Sequence, residues 1–109
     1  MLQGNELRMH FDDVEQAIGH AAQACSAERD LPTELRDCIR KLDKKTDLVK
    51  DVIESRDEIR IRQMVDDLEQ LGERAKRVCG SGAVNLTSQI KNAVIHMHHA
   101  LSRLKRLLH

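Results

Sequence analysis

Tryptophan and tyrosine are absent, Phe11 is the one aromatic residue, and proline occurs once among 109 residues. Base or sugar recognition by stacking on aromatic rings loses its main tool. One proline and five glycines cannot supply the many turns of a β-sandwich or barrel. No stretch approaches the ~18 uncharged apolar residues of a membrane span. The N-terminus, Met1-Leu2-Gln3-Gly4-Asn5, carries no basic leader followed by an apolar run, so no signal peptide is expected. Three cysteines without a CxxC do not make a secreted disulfide framework. These absences point to a reduced, cytoplasmic protein without a membrane partner, and the length suits one domain over residues 1–109.

What is present is helical periodicity. Leu7, Phe11, Val14, Ile18, Ala21 and Cys25 alternate spacings of four and three and keep one face apolar. After the break at 26–32, with Asp30 or Thr33 as cap, the second stripe is Leu35, Ile39, Leu42, Thr46, Val49 and Ile53. It is interrupted at Asp43-Lys44-Lys45-Thr46-Asp47, where only a threonine faces the core. Ile61, Met64, Leu68, Leu71, Ala75 and Val78 form a third stripe that ends at Gly80. Leu86, Ile90, Ala93, Met97, Leu101 and Leu104 form the fourth. The four spans, 6–28, 33–54, 57–79 and 83–108, are matched in length and joined by short connections. An all-α, antiparallel up-down four-helix bundle follows.

The joint between the second and third segments admits an alternative. Glu54-Ser55-Arg56-Asp57-Glu58 contains neither glycine nor proline, although Ser55 with Glu58 has the spacing of a capping box. A continuous helix from about 33 to 79 would span roughly 70 Å. It would leave three helices per chain in an intertwined dimer.

Charge is balanced in total, 18 basic against 18 acidic residues, but not in distribution. Every acid lies between Glu6 and Glu73, and beyond position 80 the only charges are Lys91, Arg103, Lys105 and Arg106. The last helix is therefore +4 and the remainder −4. The plain account is complementarity between neighbouring helices plus cations at a helix C-terminus. A basic face for nucleic acid is the competing account, but four cations and a pI of about 7.0 make a thin footprint.

Six histidines include the run His96-Met97-His98-His99. In an up-down bundle His20 falls level with His96, while His10 and Asp13 lie nearer His99. Imidazoles with a carboxylate can hold Zn²⁺ or Ni²⁺. On the helical wheel His98 and His99 point away from the apolar seam, His20 is peripheral, and His10 and His96 flank the core. Solvated histidines and no cofactor are the plainer expectation. Cys25, Cys38 and Cys79 all fall at one end of such a bundle, with Cys25 and Cys38 flanking the first connection within possible disulfide reach. A three-thiolate metal or redox site competes there with thiols acting as small apolar residues.

No nucleophile–base pair, phosphate loop or catalytic carboxylate pair stands out. A non-enzymatic interaction protein is expected, self-associating as a homodimer. That expectation rests on a core with few large residues and on Ile59, Val65, Val94 and Ile95 outside the main seam. A metal- or redox-responsive regulator and a weak nucleic-acid binder are the alternatives.

Overall fold

A computed structural model describes residues 4–80 and 86–108. The described residues form helices and connections only. They are α1 (Gly4–Ser26), α2 (Thr33–Thr46), α3 (Val49–Glu54), α4 (Glu58–Gly80) and α5 (Ser88–Leu108). α1 packs on α2 and α5, α4 packs on α2, α3 and α5, and the long axis measures 41 Å. The expected Gly80-Ser81-Gly82 break and the start of the fourth span at 83 fall partly on residues 81–85, outside the described residues.

Where four segments are expected, five helices form, because the second is divided at Asp47-Leu48. The Thr46 hydroxyl donates to the Asp43 carbonyl at 2.6 Å. The Asp47 and Leu48 N–H groups reach back only three residues, to Lys44 and Lys45. A side chain that bonds its own preceding turn competes with the helical ladder, and three-residue bonds tighten the turn. Both residues keep right-handed φ and ψ, so the axis is interrupted without reversing.

The long fused helix is overturned at Arg56. Its φ is +56°, a left-handed conformation that costs a non-glycine residue about 1–2 kcal/mol. Neighbouring bonds offset that cost. Ser55 donates its hydroxyl to the Val52 carbonyl and accepts the Asp57 N–H at 3.3 Å. The Asp57 carboxylate accepts the Ile59 and Arg60 N–H groups at 3.0 and 3.3 Å, satisfying two orphan donors of the new helix. The capping residue is thus Asp57, two positions beyond the Ser55 of the expected capping box. At α2 the expected caps Asp30 and Thr33 are also replaced, since Pro32 precedes the helix and makes no side-chain cap. At α5, Thr87 Oγ1 accepts the Ile90 N–H at 3.2 Å.

The core is wholly apolar, with no polar or charged residue buried among the described residues. Phe11, Ile18, Leu35, Leu42, Leu68 and Leu101 each lose all but a trace of their exposure, a transfer worth about 2 kcal/mol apiece. Every position of the α1 stripe is buried. On α4 and α5 the buried face is rotated from the expected one. Val65 and Val94, expected outside the seam, are 0% exposed, whereas Met64, Leu71 and Ala93 sit at its margin. Gly72 explains part of the rotation. A Cβ there would stand 2.6 Å from Leu101 Cδ1, so the missing side chain is what lets α5 seat Leu101 against α4.

Candidate functional site

With an inert core, chemistry is confined to the seams between helices. The larger opening, about 730 Å³, lies between the end of α1 and α2 and includes Cys25, Arg29, Arg36, Arg40 and Asp43. One of its arginines is tied to the backbone. Arg36 donates to the backbone carbonyls of Glu28 and Arg29, both at 3.4 Å, bracing the connection that leads into α2. Glu28 and Asp43 share the same walls.

A smaller concavity of about 300 Å³ lies between α4 and α5 and is lined by Lys76, His98, His99, Ser102, Arg103 and Arg106. Among the described residues, no carboxylate lines it. Burial pushes the His98 imidazole below its ordinary pKa, Lys76 and His99 add to that effect, and Glu69 and Glu73 oppose it. The neutral ring therefore predominates at pH 7. Its Nδ1 is buried with no hydrogen-bond partner, a condition that costs about 1–3 kcal/mol for a polar atom.

The four cations expected to form one basic face are divided. Lys105 is engaged by Asp66 at 3.9 Å and Glu69 at 3.6 Å on α4. Lys91 acts on Cys79 near the other end of α5. Only Arg103 and Arg106 remain together, and α4 joins Lys76 to them. The α5 half of this group has a readable signature, since 99, 103 and 106 follow helical spacing. Lys76 has none, because it depends on the register of α4 against α5.

The histidine expectation is corrected on the wheel. His98 is partly buried, whereas His96 is exposed, because burial of Val94 turns α5 toward the side that carries His98. His20 lies in a shallow groove with Thr87 and Ala93, and His10 is half-buried. Among the described residues, no three of His, Cys, Asp and Glu stand together as metal ligands, so His10, Asp13, His20, His96 and His99 are not assembled into a centre.

Cys25, Cys38 and Cys79 are free thiols. The electrostatic neighbour of Cys25 is Cys79, not Cys38 across the first connection. Burial pushes all three thiols above their ordinary value. Arg36 acts against the rise at Cys25, Arg74 by charge and a hydrogen bond at Cys38, and Lys91 at Cys79. Thiolate is therefore scarce at neutral pH, the opposite of an activated cysteine.

No protein-family model matches the sequence, and no curated protein or solved structure is significantly similar to it.

Proposed function

We propose that this chain is a non-enzymatic, cytoplasmic interaction protein that associates with a second copy of itself. In this reading the five helices form an antiparallel up-down bundle, with α2 and α3 together taking one of four positions. The closed circuit of packing, α1 to α2 to α4 to α5 and back to α1, supports that arrangement. So does the pairing of Lys105 with Asp66 and Glu69, which sets the end of α5 beside the first half of α4.

The observation that carries the proposal is a group of large apolar side chains left outside a complete core. Ile59 is 69% and Met9 67% exposed, and Leu48 and Leu107 are also exposed. In the up-down arrangement these four gather toward the end holding the α3–α4 turn. The charges around Ile59 cancel, with Glu54, Asp57 and Glu58 against Arg56, Arg60 and Arg62. A two-fold interface apposes a surface to its own image, so a neutral rim of alternating sign suits a second copy better than a strongly charged partner. Val65 and Val94 no longer argue for the dimer, since the core absorbs them.

Light scattering at micromolar concentration is expected to give twice the 12.5 kDa chain mass. Ile59→Glu with Met9→Glu is expected to return the monomer with unchanged helicity. A wild-type mass of 12.5 kDa alone would defeat the proposal.

A further inference from the structure

The α4–α5 concavity carries an inference independent of the dimer. Its walls bring together the cations Lys76, Arg103 and Arg106, the hydroxyl of Ser102, and two imidazoles. In two other places on the helix surfaces, cations have acids beside them. Lys105 bonds two acids, and the arginines of the α1–α2 opening share their walls with Glu28 and Asp43. Here three cations line one hollow with no carboxylate among its described lining residues; of the two acids that act on His98 from α4, Glu69 is engaged by Lys105, and Glu73 lies outside the lining. Like charges held together on a folded surface repel one another. The buried, unpartnered Nδ1 of His98 is a second local cost in the same place.

We propose that this concavity is a binding site for a phosphoryl dianion, carried by inorganic phosphate or by a phosphomonoester. Several anionic oxygens suit several separate donors. The two guanidinium forks present paired N–H groups, the lysine and serine supply further donors, and a protonated imidazole completes the set. A single carboxylate has two oxygens and would leave most of these donors without an acceptor. At about 300 Å³ the hollow is at the lower end of small-ligand sites (~300–1,000 Å³), which suits a compact group. A nucleic-acid backbone is the less fitting polyanion. Lys105 and Lys91 do not continue the cationic track, and no aromatic side chain accompanies it. The dianion favours the imidazolium, so binding draws a proton onto His98 against the burial, Lys76 and His99 effects that keep it neutral in the free protein. Glu69 and Glu73 assist that uptake.

The test is an NMR titration of the intact chain, following the histidine ring signals at constant ionic strength. Inorganic phosphate and glycerol phosphate are added in separate arms, and sodium acetate serves as the control. Saturable shifts of His98 and His99 are expected in at least one phosphoryl arm, with Kd of about 1 mM or tighter and an upward move of the His98 midpoint. The tighter arm identifies the source of the phosphoryl group. Arg103→Gln with Arg106→Gln is expected to weaken binding by about tenfold or more. Lys76→Gln should weaken it less, and Lys91→Gln should leave it unchanged. Shifts that do not saturate, that acetate reproduces, or that survive the double arginine variant would overturn the site. So would duplex DNA binding that depends equally on Lys91, because that result would assign the cations to an extended nucleic-acid face.

Discussion

At the α4–α5 seam a glycine and a leucine meet so closely that one added carbon would stand 2.6 Å from Leu101 Cδ1. At the α1–α2 seam the helices part to leave an opening of about 730 Å³ beside Ala22 and Ile39. The close seam carries clustered cations on its outer edge with no carboxylate among the described lining residues, and the open seam has Glu28 and Asp43 beside its arginines, with Arg36 bonded to two carbonyls. Apolar fit and charge balance are thus separate properties of a helix pair. A seam can be tight in its interior and unsatisfied at its rim.

Two substitutions to leucine test the difference in packing. Gly72→Leu is expected to destabilise the fold by about 3 kcal/mol through overpacking against Leu101. Ala22→Leu, which points bulk at the open seam, should stay within about 0.5 kcal/mol of wild type. Urea denaturation followed by circular dichroism measures both, and equal losses would erase the distinction. Next in size is Arg36→Met, which removes two long bonds to the Glu28 and Arg29 carbonyls at an exposed site. A loss of about 0.5 kcal/mol is expected in the same assay.

The smallest effects are electrostatic and have opposite signs on the two sides of the molecule. Burial, then Asp12 and Asp47, pushes the Glu15 carboxyl above its ordinary 4.5. A raised carboxyl contributes stability below that value and loses it as pH rises through the folded-state pKa. Glu15→Gln should therefore be slightly more stable than wild type at neutral pH, a gain kept small by solvent screening at this exposed site and fading in acid. His98 lies below its ordinary 6.5, so its contribution is present above 6.5 and is lost as pH falls through the folded-state value. His98→Gln should flatten the decline of stability below pH 6.5. Melting temperatures collected across pH 4–7.5 separate the two, and parallel profiles for both variants would contradict these assignments.

Much of the fold is legible in the residues because helical spacing is a local property. The α1 stripe from Leu7 to Cys25 is buried as read, and the interruption at 43–47 marks where α2 ends. The faces of α4 and α5 are harder to read, since Val65 and Val94 flank the obvious stripe by one position. Only the approach allowed by Gly72 decides which flank turns inward. Ser55 and Asp57 are both good caps, and the choice between them depends on the left-handed turn at Arg56, which no residue type announces. The cationic hollow is least legible, because its lysine comes from a helix whose own sequence alternates charges. Register, and not composition, separates Lys105 from Arg103 and Arg106.

The Asp47-Leu48 joint has a consequence for how the molecule opens. It isolates α3, six residues anchored by Val49 and Val52, between that joint and the turn at Arg56. A segment so short cannot hold itself helical without its neighbours. It can therefore detach as a unit while the longer helices stay paired, at a free energy below that of global unfolding. Backbone amides in α3 would then exchange with solvent ahead of those in α4. Such a fluctuation would uncover the apolar wall beneath α3 for brief intervals, giving this otherwise uniform set of helices one locally breathing side.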